Sequence, residues 1–174
     1  MRHTTFRPWR WPAALALVAV VAACGGGEDQ LIGSEAPDFT LTDVDGREVR
    51  LSEHRGKAVI VDFWATWCPP CKALMPELEA LVRDYDGDLE VIAVSVDGDP
   101  PTAVPPFARE HGYSFTMTAD EGGHEVARAW GGTKGIPSTY LVDPDGVVRH
   151  HWLGKHDRAD YERAIREVLG RSES

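Results

Sequence analysis

Cysteine is scarce in this chain of 174 residues: there are three, Cys24, Cys68 and Cys71. Three cysteines do not make a disulfide-stapled scaffold, and with no second cysteine pair they do not make a four-thiolate zinc site. Long apolar runs are missing too. The longest, Ala13 to Ala23, has eleven residues, too few to cross a hydrocarbon core as a helix. Positive charge is in deficit, with 18 Lys and Arg against 28 Asp and Glu and a net charge of −10. Beyond Arg2, Arg7 and Arg10, 15 basic groups face 28 acidic ones, a balance of −13. Such a body repels nucleic acid and anionic lipid headgroups, so no nucleic-acid partner is expected. No internal repeat is present, which excludes a solenoid. His150, His151 and His156 are the nearest approach to a metal cluster. Neighbouring histidines on a strand face opposite ways and no acidic or Cys ligand is spaced with them, so they are expected at the surface and no metal is expected.

What is present begins with a targeting segment. Residues 1–12 are basic, an apolar stretch follows, and small residues precede a cysteine, which is the layout of a secretory signal. Gly25-Gly26-Gly27-Glu28-Asp29 reads as a flexible tether. The ending Val21-Ala22-Ala23-Cys24 resembles a bacterial lipobox, which implies a lipoprotein signal peptide over 1–23 and lipidation of Cys24. On that reading residues 24–34 are the lipidated cysteine and tether, and 35–172 form the folded domain. An accidental free thiol at Cys24 is the plainer alternative.

The domain opens with Phe39–Thr42 and Glu48–Leu51 around Asp43-Val44-Asp45-Gly46, a hairpin signal. Ala58–Trp64 reads as a buried strand, and Lys72–Tyr85 is apolar at Leu74, Leu78, Leu81 and Tyr85, a helical spacing. Leu89–Val96 is rich in Val and Ile, as a central parallel strand would be. Asp97–Pro106 reads as a Pro/Gly-rich loop leading to a helix near Phe107–His111. Ser114–Met117 is a further strand and His124–Trp130 a short helix. Ser138–Val142 and Val147–Trp152 flank Asp143-Pro144-Asp145-Gly146, a second hairpin, and Asp157–Leu169 closes the chain as a helix. The expected class is α/β, a mixed central sheet flanked by helices with an extra N-terminal β-hairpin.

The chemistry is carried by Trp67-Cys68-Pro69-Pro70-Cys71, at the junction of strand and helix. There the first sulfur meets helix N–H groups and the positive end of the dipole, which favour a thiolate. Pro69 suits the first helical position, where its missing N–H is no loss. Pro70 also lacks an N–H, so the Cys71 amide is left as the near donor to the Cys68 sulfur. Asp62, between Val61 and Phe63, is a carboxyl in an apolar strand and is expected to be buried with a raised pKa. A structural zinc half-site or a permanent disulfide are the alternatives for the cysteine pair.

Asp62 to Lys72 as a run, Pro76, and Gly135-Ile136-Pro137-Ser138-Thr139 together resemble the thioredoxin-fold oxidoreductases. The leading hairpin and exported context are similar to the TlpA/ResA-like branch, and the resemblance covers about residues 31–170. It implies a thioredoxin-like fold and a protein-disulfide oxidoreductase with no cofactor. It implies that Cys68 is the partly exposed nucleophile, Cys71 the more buried resolving thiol, and Asp62 the proton acceptor for Cys71. It also implies that Ile136-Pro137 is a cis-proline loop facing the sulfurs and pairing with substrate backbone. Trp67, Pro69, Pro70 and Ile136 are the implied substrate contacts, and Trp130 and Lys134 are candidates to shape substrate choice. Trp64 and Phe63 are expected to pack around Asp62, Phe63 foremost as core. Many extracytoplasmic relatives carry a glutamate three residues after the second cysteine, where this chain has Leu74. Proton handling is therefore expected to rest on Asp62.

The proline before Cys71 and the isoleucine before Pro137 favour a reducing couple. A reductase outside the cytoplasm needs protein disulfide substrates and a membrane electron donor of the DsbD/CcdA kind. The expected location is extracytoplasmic, on the membrane through Cys24, with cytochrome c maturation as the task by analogy. Two other functions are open: a thiol peroxidase, although Val61 and Ala65 stand where its Pro and Thr would be, and a copper-binding assembly factor, whose cysteines are usually spaced by three.

Overall fold

A computed structural model describes residues 31–119, 121–132 and 134–171. The expected signal peptide, Cys24 and residues 25–30 of the tether lie outside them. Two short strands, β1 (Thr40–Thr42) and β2 (Glu48–Arg50), make a separate antiparallel pair, followed by a 3-10 turn at Leu51–His54. Then come β3 (Ala58–Trp64), α1 (Pro69–Asp84), β4 (Leu89–Ser95), α2 (Pro100–His111), β5 (Thr116–Met117) and α3 (Gly123–Ala129). The chain ends in β6 (Ser138–Val142), β7 (Val148–Leu153) and α4 (Arg158–Val168). The five-stranded sheet has the order β5-β4-β3-β6-β7. Strands β3, β4 and β5 run parallel, and β6 and β7 are antiparallel to their neighbours. This is the expected mixed sheet with a leading hairpin.

Both hairpins are closed by the same device. Asp43 Oδ1 accepts the N–H groups of Asp45 (2.9 Å) and Arg47 (2.8 Å), and Asp143 Oδ1 accepts that of Val147 (2.8 Å). Each turn ends in a glycine at positive φ, Gly46 at 80° and Gly146 at 85°. An Asp followed three residues later by Gly thus folds its own turn by side-chain bonding to the backbone.

Alternation along β3 sorts the layers. Asp62 and Trp64 face one side, where Trp64 meets Phe107 of α2 with ring centroids 5.0 Å apart. Phe63 faces the other, 6.0 Å from both Trp130 and Tyr140. Trp130 in turn packs on Phe39 and donates its indole N–H to the Pro37 carbonyl at 3.1 Å. The N-terminal segment therefore covers the Phe63 face. Phe63 is core on the side away from Asp62. Trp130, fully buried, is core as well and is not available to shape substrate choice.

The stretch read as a loop before Phe107 is helix. Asp99 caps α2 by accepting the Thr102 N–H at 3.3 Å, and Pro100 and Pro101 fill the first turn, where no N–H is required. Pro105 and Pro106 lie inside the helix, and the residues that would have bonded to them, Pro101 and Thr102, are exposed to water. Pro100, Val104 and Phe107 are buried at helical spacing, and that apolar stripe outweighs the two lost bonds. At α3 the packing is closer: a Cβ on Gly123 would stand 2.0 Å from the Ser95 carbonyl oxygen, so only glycine lets this helix rest on β4.

His150 and His151 do point to opposite faces, but they are half-buried and not simply at the surface. His151 stacks on Tyr140 (4.2 Å) and its Nε2 is 3.0 Å from Ser138 Oγ. His150 stacks on Trp152 (5.4 Å). Aromatic neighbours on β6 and β7 draw both rings down onto the sheet.

Candidate functional site

The site forms where β3 ends and α1 begins. Cys68 is the N-cap of α1, with extended backbone (φ −90°, ψ 107°), and Pro69 and Pro70 take the first two helical positions. With no N–H on either proline, the Cys71 N–H is the donor that reaches the Cys68 sulfur, at 3.2 Å. The two sulfurs are joined in a disulfide. Negative charge on Cys68 Sγ, once the pair is reduced, is stabilised by that N–H and by the N-terminus of a 16-residue helix.

Facing the pair is the segment before β6. The Ile136–Pro137 peptide bond is cis, and the Ile136 carbonyl oxygen lies 3.7 Å from Cys68 Sγ. Pro137 is buried and Ile136 half-buried. The segment is tied to the end of β7 by the Gly154 N–H, which donates to the Pro137 carbonyl at 2.8 Å. Trp67 is 66% exposed beside the pair, Leu153 is 47% exposed, and Pro69 and Pro70 are exposed. An apolar rim thus surrounds the sulfurs.

Cys68 itself is 3% exposed, more recessed than expected, and Cys71 is fully buried. The Ile136 carbonyl and the disulfide partner cover the Cys68 sulfur.

Asp62 lies beneath. It is fully buried, and burial pushes its carboxyl up to about 7, against a smaller opposing effect of the hydrogen bond from Thr139. Thr139 Oγ1 donates to Asp62 Oδ1 at 2.7 Å, while Asp62 Oδ2 has no hydrogen-bond partner among the described residues. The register places Asp62 opposite Thr139 on β6 and Ala93 on β4, so the strand on its other side offers no polar neighbour. A carboxyl that titrates near neutral pH can both take and return a proton.

Two features went unnoticed in the sequence. One is Thr139, whose pairing with Asp62 spans 77 residues. The other is a clamp on the loop that carries Cys68. Buried Asp97, just past β4, accepts from the Thr66 N–H (3.0 Å), the Thr66 hydroxyl (2.7 Å) and the Ser95 hydroxyl (2.9 Å). Its carbonyl is 3.0 Å from His124 Nε2 on α3. Thr66 precedes Cys68 by two residues, so this carboxylate fixes the approach of the chain to the nucleophile position. An acidic residue closing a Val-rich strand was the signal available.

Comparison with known proteins is consistent with this arrangement. A sequence model of the AhpC/TSA family matches residues 32–151. The thiol-disulfide oxidoreductase ResA of Geobacillus kaustophilus (strain HTA426) is 38% identical over 138 residues, covering 79% of this chain and 78% of that protein. ResA of Bacillus subtilis (strain 168) is 34% identical over 136 residues, covering 78% and 74%. A crystal structure described as thiol:disulfide interchange protein DsbE from Chlorobium tepidum matches with a TM-score of 0.73 and 32% identity, over 80% of this chain and 98% of that one.

Proposed function

As a member of the thioredoxin-like AhpC/TSA family alongside the ResA proteins, this chain is a thiol-disulfide oxidoreductase, and we propose that it works as a reductase of protein disulfides outside the cytoplasm. The Cys68 thiolate attacks one sulfur of a substrate disulfide, forming a mixed disulfide as the substrate S–S bond breaks and the other sulfur leaves as a thiolate that takes a proton from water. Cys71, deprotonated by Asp62, then attacks the Cys68 sulfur and releases the substrate as a thiol, leaving the Cys68–Cys71 disulfide. The observation that carries this reading is the capped pair itself: the Cys71 N–H 3.2 Å from Cys68 Sγ at a helix N-terminus, following a strand that carries a buried carboxyl raised to about 7. Pro137 and Ile136 present the strand edge against which substrate backbone would lie, and Trp67, Pro69 and Pro70 complete the contact.

Location and electron supply follow from the N-terminal residues. Cys24, after Val21-Ala22-Ala23, is the site of lipidation, residues 1–23 are the signal peptide, and 35–172 are the working domain. No helix among the described residues is long and apolar enough to cross a membrane. Acyl chains at Cys24 are the attachment that the Val21-Ala22-Ala23-Cys24 ending supports. A membrane donor of the DsbD/CcdA kind re-reduces the pair, and apocytochrome c thiols are the target that family analogy favours. The peroxidase reading is weaker, because Ala65 and Val61 are buried apolar residues with no hydroxyl to offer a peroxide.

The test uses the full chain in its native envelope. Metabolic labelling with a palmitate analogue is expected to mark the wild type and not Cys24→Ala. A Cys71→Ser variant is expected to accumulate mixed disulfides with envelope proteins, which mass spectrometry then identifies. No label and no adducts, with peroxide consumed instead, would overturn the assignment.

A further inference from the structure

Asp62 has one fixed partner. Its Oδ1 accepts the hydroxyl proton of Thr139, opposite it on β6, at 2.7 Å. Tyr161, on α4, is fully buried, and its hydroxyl oxygen accepts the His156 N–H at 3.3 Å. All three side chains are fully buried, so water does not compete for these bonds.

This wiring divides the two oxygens of the carboxyl. Oδ1 is committed as an acceptor, and Oδ2, buried and without a partner among the described residues, is the atom left to take a proton. We propose that Thr139 is a positioning residue that aims Asp62 Oδ2 as the proton acceptor for Cys71 and sets the pH at which it works. The proposal rests on the reading of Asp62 as the base of the resolving step. The step balances simply: the Cys71 proton moves to Asp62 Oδ2, the new thiolate bonds to Cys68 Sγ, the Cys68–substrate bond breaks, and the departing thiolate takes a proton from water.

Burial and the Thr139 hydrogen bond are the two influences on this carboxyl, and other ionisable groups stand on neighbouring elements. From α1 come Cys71 and Glu77, the latter with Oε1 bound to Lys155 Nζ at 2.7 Å and Oε2 buried and without a partner among the described residues. From α4 comes Tyr161, pushed up to about 12 by burial, with the charges of Asp62 and Glu77 adding to that. From the segment after β7 come Lys155 and His156. On β4 the facing residue is Ala93, which contributes no charge. Thr139 holds the carboxyl at hydrogen-bond distance, so its removal is the change felt most directly.

The experiment follows the Asp62 carboxyl by carbon NMR in the oxidised full-length domain, and in parallel the pH profile of substrate release from the mixed disulfide. Thr139→Val, close in shape and without the hydroxyl, is expected to move both midpoints upward by about one pH unit, because the ionised form loses its hydrogen bond. Thr139→Ser is expected to restore the wild-type midpoints. A Thr139→Val midpoint equal to the wild type overturns the proposal, and so does a Thr139→Ser variant that shifts as far as Thr139→Val, since that is a packing effect. The NMR titration needs no substrate. An inactive wild type with a Thr139-dependent midpoint therefore defeats the reductase reading, whereas an active wild type with an unmoved midpoint defeats this proposal alone.

Discussion

Cys68→Ala is expected to lower the rate of reduction of a model protein disulfide by roughly a thousandfold or more, because no other group at the site can open the substrate bond. Cys71→Ala is expected to behave differently. It keeps the first attack and stalls at the mixed disulfide, so one equivalent of substrate is bound covalently and turnover ceases. The asymmetry follows from position. Cys68 caps the helix and lies beneath the exposed Trp67, whereas Cys71 is sealed one turn inside. The Cys71 N–H that serves the Cys68 sulfur is a backbone group, so it survives the Cys71 substitution. Stopped-flow tryptophan fluorescence with mass analysis of the products checks both variants. Equal losses in the two, with no covalent adduct in either, would speak against separate roles.

The second large effect concerns Asp62 and has two signs. For catalysis, Asp62→Asn removes the base, and the resolving step is expected to slow by roughly a hundredfold. For stability of the oxidised form the same change is expected to help. Burial raises the carboxyl from 3.8 to about 7, so between those values the folded state binds more protons than the unfolded chain. Stability linked to Asp62 is therefore complete below about pH 4 and is lost as pH rises through about 7. Asparagine is free of that loss, so above pH 7 the variant is expected to be more stable by an amount on the order of 4 kcal/mol. Urea denaturation of wild type and variant at pH 4 and pH 8 tests this: the gap should be small at the lower pH and wide at the higher. A gap that narrows with rising pH would contradict a raised carboxyl.

Much of the fold was legible because it is written in local patterns. The Asp43–Gly46 and Asp143–Gly146 turns, the Val- and Ile-rich strands and the apolar stripe of α1 each report on neighbours within a few residues. The prolines of α2 misled because a breaker rule was applied without weighing Pro100, Val104 and Phe107 as one buried face. Trp130 and the histidines of β7 were misplaced for a related reason: what covers them comes from other strands and from the N-terminal segment. The site divided along the same line. Cys68, Cys71 and Pro69 could be read from one short motif and Asp62 from its apolar flanks. Thr139 with Asp62, and Asp97 with Thr66, are joined only by the fold, and no local pattern announces a hydroxyl that will meet a carboxylate 77 residues away.

The Asp97 clamp and the Thr139 hydrogen bond are alike in one respect. One ties down the backbone that leads into Cys68, and the other holds the Asp62 carboxyl. Both are anchored at the ends of strands, where rigid backbone meets the reactive turn. The pair is thus positioned by groups that do not themselves react.

The central claim is that Cys68 is the reactive thiolate, favoured by the helix it caps. Alkylation of the fully reduced protein with iodoacetamide across pH 5 to 10, with the modified peptide mapped by mass spectrometry, tests it most directly. The account predicts that label enters at Cys68 with a midpoint below the value of about 8.5 for a free cysteine, and that Cys71 stays unlabelled in the folded protein. First labelling at Cys71, or a Cys68 midpoint at or above that of a free thiol, would contradict it.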